Sequence, residues 1–170
     1  MYKKYIEEKN SSNFYTKFSV ENLEKLLAIF DIYTFNMIRL GNFLFLVDYT
    51  AYKKLGHSIT GLSYEKTYYG VAPIRFEILL EDLYNQEIIS KTVFYNSYYL
   101  HSVQIWNNKE LDYDYFYHDE LEIILDVTKK YLYKLSDAWL VEQILNDEFV
   151  KQFHFYERIN CEKLGEENHE

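Results

Sequence analysis

The residues of this chain that could do chemistry lie just beyond its longest apolar stretch. Asp48, His57 and Ser58 are the residue types of a hydrolytic triad, in which a carboxylate orients a histidine that activates a serine. The sequence has no Gly-x-Ser-x-Gly turn to present such a serine, and a triad is recognised by geometry rather than by nearness in sequence. A hydrolase is therefore the weakest function that we consider, and we expect no catalytic residue.

Asp48 by itself allows two interpretations. It falls on an apolar helical stripe one turn after Leu44, and a buried carboxylate is costly unless donors surround it. The structural interpretation, which we favour, is that Asp48 accepts backbone N–H groups from the turn at residues 58–61 and fixes that turn to the helix. The alternative is that Asp48 binds a ligand or takes part in catalysis.

The remaining polar patterns predict neither a metal nor a cofactor. The other four histidines are scattered, Cys161 is the single cysteine, and no pair has the spacing of a zinc site. No glycine is followed by the Gly-Lys-Ser/Thr string of a phosphate-binding loop. One cysteine also forms no internal disulfide, which is typical of a reducing cytosol.

Tyrosine is the residue type in excess, with 19 copies beside 12 phenylalanines. Residues 112–120 alternate acids with aromatic rings, and Tyr68-Tyr69 and Tyr98-Tyr99 form pairs. These rings either pack on the core or form an adhesive acidic surface, because tyrosine supplies large contact area at low entropic cost. The sequence leaves both interpretations open.

The charge narrows the class of partner. The formal net charge is −9, which argues against autonomous nucleic-acid binding and against an anionic membrane surface. A protein partner with a basic surface would be attracted instead. The start of the chain has no apolar core of a signal peptide, and the longest apolar stretch, residues 43–47, is too short to span a membrane. We expect a cytoplasmic protein, whose oligomeric state the sequence leaves open.

Helical spacing of apolar residues predicts most of the elements. The predicted helices cover residues 20–31 after a Ser19 cap, 35–55 before Gly56, 73–84 with Pro73 as first residue, 119–135 with Asp119 as cap, and 136–145 with Ser136 as cap, followed by a short helix after Asp147. The predicted inward residues of two of them are Ile74, Ile78, Leu79 and Leu83, and Leu121, Ile124, Leu125, Thr128, Leu132 and Leu135.

Two stretches rich in β-branched and aromatic residues predict strands. Residues 62–69 form a short strand that Gly70 interrupts, and residues 87–106 form an antiparallel ribbon. The predicted fold is a mainly α, single compact domain with a small antiparallel β element, in the α+β class. Residues 1–19 are predicted to form an arm, residues 20–156 the domain, and residues 157–170 a frayed acidic tail.

An ordered series of motifs resembles a known family. The series is Phe-Leu-Phe-Leu-Val-Asp-Tyr at 43–49, Gly-His-Ser-Ile-Thr-Gly at 56–61, Tyr64, and Tyr-Gly-Val-Ala-Pro at 69–73. It resembles the Panacea domain of SocA/GepA-like antitoxins over roughly residues 20–153. The chain departs from the family pattern in three places: Asn42 stands where lysine is typical, Gly70-Val71-Ala72-Pro73 replaces Gly-Pro-Val-Pro, and a histidine of the last helices is missing near residues 145–148.

The resemblance implies an antitoxin, carried by a phage or a mobile element, that binds a cognate toxin directly. The alternatives are an adaptor that hands a client to a protease or a regulator of a host or phage protein complex. We expect the interface along residues 58–73 with help from the tyrosine-rich loops. The expected partner-binding residues are His57, Ser58, Thr60, Tyr64, Tyr68, Tyr69, Tyr113 and Tyr115, and the expected structural residues are Asp48, Gly61, Gly70 and Pro73.

Overall fold

The chain folds as helices around one long central helix, with two small antiparallel sheets. The computed structural model describes residues 18–29, 35–95, 101–108, 112–131 and 136–160, and the structural statements below refer to these. Their helices are α1 (Val20–Ile29), α2 (Met37–Leu55), α3 (Phe76–Asn85), α4 (His118–Tyr131), α5 (Asp137–Leu145) and α6 (Glu148–Lys151), with a 3-10 turn at Tyr113–Tyr115. Their strands are β1 (Phe35–Asn36), β2 (Tyr64–Thr67), β3 (Gly70–Pro73), β4 (Ile89–Tyr95) and β5 (His101–Asn107).

This architecture confirms the predicted fold class. Strands β1, β5 and β4 form an antiparallel sheet in that order, and β2 and β3 form a separate antiparallel hairpin. The predicted ribbon corresponds to β4 and β5, and residues 96–100 between these strands lie outside the described residues. The strand predicted at residues 62–69 is the first half of the hairpin, and Gly70 begins the second half opposite Thr67.

Helix α2 is central because its sequence is apolar on nearly every side. Its buried residues are Leu40 to Tyr49 and Ala51, and it packs against β3, α4 and α5. Asn36 caps its start by accepting the backbone N–H of Arg39, and Gly56, with φ 78°, ends it. In the part of the chain just delimited, none of the helices has both the length and the apolar character that a membrane crossing requires.

The prediction that Pro73 begins a helix is wrong. Pro73 ends β3, where it is paired with Tyr64, and α3 begins only at Phe76. Proline is tolerated there because the backbone N–H of the next residue, Ile74, donates to Ser63 O at 2.9 Å and carries the pairing on. Residues 79 and 83 are buried as predicted, but Ile78, also predicted to point inward, lies off the buried face of α3 and is 51% exposed.

The predicted cap and inner face of α4 also need correction. The helix begins at His118, so Asp119 lies within its first turn and is not the cap. The carboxylate of Glu120 accepts the backbone N–H of Tyr117 at 3.2 Å. Residues 124 and 128 are buried as predicted, but Leu125 is exposed, because residues 123 and 127 complete the buried face of α4. The predicted inward residues 132 and 135 lie outside the described residues. The predicted caps of α1 and α5 are confirmed at Ser19 and Ser136, and Asp147 caps α6.

Residues 157–159, predicted as part of the frayed tail, pair with β2. The backbone N–H of Ile159 donates to Tyr64 O at 2.9 Å, and that of Lys66 donates to Glu157 O at 3.1 Å. Ile159 is completely buried. The tail prediction is wrong for these three residues, because an apolar side chain and a strand edge hold them to the core. The predicted arm at residues 1–19 stays a prediction, since residues 1–17 lie outside the described part.

Ile159→Ala should lower the free energy of unfolding by about 2–5 kcal/mol, because it leaves a cavity in the core. Urea unfolding followed by circular dichroism measures the change. Leu125→Ala, at a position 42% exposed, is the matched control and should stay within about 0.5 kcal/mol of wild type. Equal effects of the two substitutions would show that the segment around Ile159 is no part of the core.

Candidate functional site

A buried carboxylate joins α2 to the turn that follows it. Asp48 is fully buried, and its Oδ1 accepts the backbone N–H groups of Ile59 at 2.8 Å and Thr60 at 2.9 Å. Its Oδ2 accepts the hydroxyl of Tyr64 at 2.6 Å and the hydroxyl of Thr60. This is the contact that the structural interpretation of Asp48 predicts, and two hydroxyl donors strengthen it.

The surroundings of Asp48 favour a structural role over a ligand-binding or catalytic one. Burial raises the pKa of Asp48 above its ordinary value of 3.8, and the hydrogen bonds from Thr60, Tyr64 and Ile59 act in the opposite direction with a smaller effect. The four donors occupy the roughly four acceptor positions of a carboxylate. No position is left for a metal ion or a substrate.

The turn at residues 58–62 is fixed further by its own side chains and by α1. The backbone N–H of Gly61 donates to Ser58 Oγ at 3.2 Å, and that of Leu62 donates to Thr60 Oγ1 at 3.1 Å. The side-chain amide of Asn22 in α1 donates to Ile59 O at 2.7 Å. The turn is therefore held from inside, from α1 and from α2.

Three of the expected partner-binding residues are interior residues. Ser58, Thr60 and Tyr64 are at most 1% exposed, so their side chains cannot touch a partner in this structure. The reason is that Asp48 needs donors, and Thr60 and Tyr64 supply them. His57 is exposed, with Nδ1 3.2 Å from Ser58 O, and the Asp48 carboxylate is already saturated by other donors. A hydrolytic triad of Asp48, His57 and Ser58 is not formed.

The β2–β3 hairpin presents Tyr68 and Tyr69 at its tip, where they are 59% and 65% exposed. Asn42 of α2, itself 1% exposed, holds this tip with its side chain. Its Nδ2 donates to Tyr69 O at 2.8 Å, and its Oδ1 accepts the backbone N–H of Val71 at 2.9 Å. Gly70 has φ 98°, and a Cβ there would lie 2.0 Å from Asn42 Oδ1. The hairpin can approach the amide this closely only with glycine at position 70.

Lys66 brings a second segment beside the hairpin. It is 8% exposed, and its ammonium donates to Val150 O at 3.1 Å and Phe153 O at 2.9 Å, at the end of α6. These carbonyls satisfy the charge where the helix dipole is negative. The following residues pack on the hairpin: the ring of Phe155 stacks on Tyr68 at 4.2 Å between centroids, and Tyr156 meets Tyr68 edge-on at 5.7 Å.

We call Tyr68, Tyr69, Phe155 and Tyr156 the aromatic cluster. Beside it, a groove of about 440 Å³ runs between the start of α2, the hairpin and the start of α3. The groove is lined by Met37, Ile38, Asn42, Glu65, Thr67, Tyr68, Tyr69, Ala72, Pro73, Arg75, Phe76, Glu77, Ile78 and Tyr156. Asp48 and His57 are not among these lining residues, so the groove is not the pocket that a hydrolase would need.

The two other expected partner-binding residues lie in the 3-10 turn before α4. Tyr113 is 43% exposed. Tyr115 is half-buried, and its hydroxyl donates to Asn22 Oδ1 in α1 at 2.8 Å. Desolvation raises the pKa of Tyr115 above its ordinary value of 10.0, and the carboxylates of Glu21 and Glu120 raise it further. Tyr115 is therefore partly packed on the core and partly on the surface, so each of the two interpretations of the tyrosines holds for part of its side chain.

Sequence reasoning missed several residues that shape this surface. Asn42 was noted only as a departure from the family pattern, and Lys66 was visible only as a charge inside a predicted strand. The rings of Phe155 and Tyr156 follow the last helix in a short aromatic run, but nothing in their spacing indicates contact with Tyr68. These rings reach Tyr68 because residues 157–159 pair with β2, and that pairing joins residues about 90 positions apart in the chain.

Comparison with known proteins gives one match. Residues 42–149, more than half of the chain, match the family model described as antitoxin SocA-like, Panacea domain. The matched range includes Asn42, Asp48, the turn at 58–62 and the hairpin. The chain matches no curated protein and no solved structure. In the part of the chain that the structure describes, no three His, Cys, Asp or Glu side chains are placed to hold a metal ion.

Asp48→Asn should lower the free energy of unfolding by about 1–3 kcal/mol, because the amide cannot accept all four donors.

Since burial raises the pKa of Asp48, its carboxyl contributes most stability below pH about 3.8, and this contribution is lost as the pH rises through the folded pKa. The difference between wild type and Asp48→Asn should therefore be largest near pH 3 and shrink toward neutral pH. Urea unfolding at several pH values measures it.

Asp126→Asn is the matched control, because the Asp126 side chain is 62% exposed. It should leave the free energy of unfolding within about 0.5 kcal/mol of wild type at each pH. The substitution at Asp48 should weaken partner binding together with stability. Loss of binding in an Asp48→Asn protein of unchanged melting temperature would contradict the structural role.

Gly70→Ala should destabilise the protein by about 1–3 kcal/mol more than Gly56→Ala, because its Cβ collides with Asn42. Both glycines have positive φ, but nothing lies within 4 Å of a Cβ at Gly56. The matched pair separates backbone strain from the collision, and thermal unfolding measures both. Equal losses of stability would mean that the Asn42 contact does not fix the hairpin.

Proposed function

The chain belongs to the antitoxin SocA-like, Panacea domain family, and from this premise we propose that it neutralises a cognate toxin by direct protein–protein binding. The family supports an antitoxin-like role in general, and the surface supports binding as its means. We further propose that the protein acts in a toxin–antitoxin system carried by a phage or mobile element, and that it acts in the cytoplasm.

The observation that carries this proposal is the pinned aromatic cluster. Tyr68, Tyr69 and Tyr156 expose more than half of their side chains, yet Asn42 and Lys66 fix the backbones that carry them. Tyrosine is enriched in the energetically important positions of interfaces. A surface that is already ordered loses little conformational entropy when it binds, which favours affinity.

The net charge indicates the kind of partner. With a formal net charge of −9, the protein attracts a basic partner and speeds the encounter at low ionic strength. We propose that His57, Tyr68, Tyr69 and Tyr113 contact the partner. The half-buried Tyr115 lies at the edge of the proposed contact surface. Ser58, Thr60 and Tyr64 contribute indirectly, since they hold the turn that carries His57.

A binding function accounts for the polar residues better than a hydrolase does. The most chemically suggestive residue, Asp48, is saturated by hydrogen bonds from Ile59, Thr60 and Tyr64. The groove is lined by other residues. We therefore propose a protein that is not an enzyme and acts by occupying a surface of its partner.

A protease adaptor or a regulator of a protein complex is the second candidate, and a truncation separates it from simple sequestration. Deleting residues 157–170 would remove the buried Ile159 and unfold part of the core. Deleting residues 161–170 leaves this contact intact. Sequestration should survive the shorter deletion, whereas an adaptor that uses the acidic end as a tether should lose client degradation.

Co-expression with the product of the adjacent open reading frame, as the toxin, should restore growth and give a co-purifying complex. Tyr68→Ala combined with Tyr69→Ala should weaken the complex by about 2 kcal/mol or more, because it removes two exposed anchors. Isothermal titration calorimetry measures the affinity, and colony counts measure the rescue.

Tyr84→Ala is the matched control, because Tyr84 is also exposed but lies at the other end of α3. It should leave rescue and affinity at the wild-type level. If the wild-type protein neither restores growth nor co-purifies with the toxin, the result argues strongly against the antitoxin proposal. If the Tyr68→Ala and Tyr69→Ala double variant rescues growth and binds with wild-type affinity, the interface does not lie on the hairpin.

A further inference from the structure

We propose that the groove beside the aromatic cluster receives a short apolar segment of the partner protein that carries one arginine or lysine. The cationic side chain lies against the tyrosine rings and pairs with Glu77. This inference rests on the proposed function and deepens it, because it names the docking surface and the chemistry of the segment that occupies it.

Exposed apolar side chains are concentrated at this groove. The described part of the chain has nine large hydrophobic side chains that are exposed. Tyr68, Tyr69, Ile78 and Tyr156 line the groove, and Phe155 stacks on Tyr68 at its edge, so five of the nine lie together. A contiguous exposed apolar patch of this kind marks an interaction site, whereas single exposed residues do not.

The groove has the size and lining of a binding site. Its volume of about 440 Å³ falls within the range of roughly 300–1,000 Å³ that is typical of ligand pockets. Ile38, Ala72 and Pro73 supply apolar wall, and the side-chain amide of Asn42 already uses its hydrogen-bonding groups on Ile38, Tyr69 and Val71. An apolar side chain of the partner can therefore pack on these walls without leaving the Asn42 amide unpaired.

The charges around the groove favour a cationic residue in the segment. Two carboxylates, Glu65 and Glu77, line it against one guanidinium, that of Arg75. Glu77 is exposed and lies in the first turn of α3. The faces of Tyr69 and Tyr156 attract a guanidinium or ammonium group through their π systems. The formal net charge of −9 adds a long-range attraction of the same sign.

Both sides of the groove are held before any partner arrives. Asn42 fixes the hairpin to α2, and Lys66 fixes the segment with Phe155 and Tyr156 to the hairpin. Tyr156 is tied further by its backbone N–H, which donates to Lys66 O at 2.6 Å. The groove therefore does not have to order itself on binding, which favours even a short segment.

Backbone amide NMR of the full-length protein with two tetrapeptides tests the inference. The probes are acetyl-Leu-Arg-Phe-Leu-amide and the same peptide with glutamate in place of arginine. The arginine peptide should shift the amides of residues 68–71 and 75–78 and bind at least about threefold more tightly than the glutamate peptide. Glu77→Gln should remove this preference, whereas Glu122→Gln, an exposed acid on α4, should leave it unchanged.

Equal binding of the two peptides, shifts confined to residues 113–117, or no shift at millimolar peptide would each overturn the inference. Failure of the proposed function looks different, because it is measured by growth rescue with the wild-type protein. Rescue without any peptide-induced shift in the groove would leave the antitoxin function and remove this docking surface. Groove shifts without rescue would keep the docking surface and remove the toxin as its partner.

Discussion

A carboxylate buried inside an apolar helix must be surrounded by donors, and this constraint organises the centre of the protein. Asp48 is fully buried, so an unpaired charge there would cost more free energy than a small domain can spare. The turn at residues 58–62 folds back onto α2 because its backbone N–H groups and two hydroxyls satisfy that charge. Residues that resemble a reactive site are thereby converted into a structural joint.

The same principle shapes the surface, with different chemistry. Asn42 and Lys66 are almost completely buried, and each uses its polar atoms on the backbone of a neighbouring segment. Buried polar groups of this kind contribute little net stability when satisfied but impose one geometry, because every other geometry leaves them unpaired. The hairpin tip and the segment of Phe155 and Tyr156 are therefore positioned from beneath, while their rings stay free to contact a partner.

This division between interior and surface separates the residues that fix the fold from the exposed residues that can change. The interior fixes where the hairpin and its neighbours lie, and the rings of the aromatic cluster are exposed on this fixed base. Exposed positions such as Tyr69 and Glu77 can be exchanged at little cost in stability. Asp48 and Gly70 tolerate no such exchange, since one carries the buried charge and the other makes room for Asn42.

The sequence by itself determined the fold class, the central helix, most caps, the family resemblance and the inward position of Asp48, because these depend on spacing within a few turns of chain. It assigned Pro73 to a helix, since strand pairing rather than helix propensity decides where α3 begins, and it placed the exposed Ile78 on the inner face of that helix. Only the tertiary structure decided that Tyr64 lies inside and that Tyr156 lies beside the hairpin. Those outcomes depend on hydrogen bonds and ring contacts between residues far apart in the chain, and no local pattern encodes them.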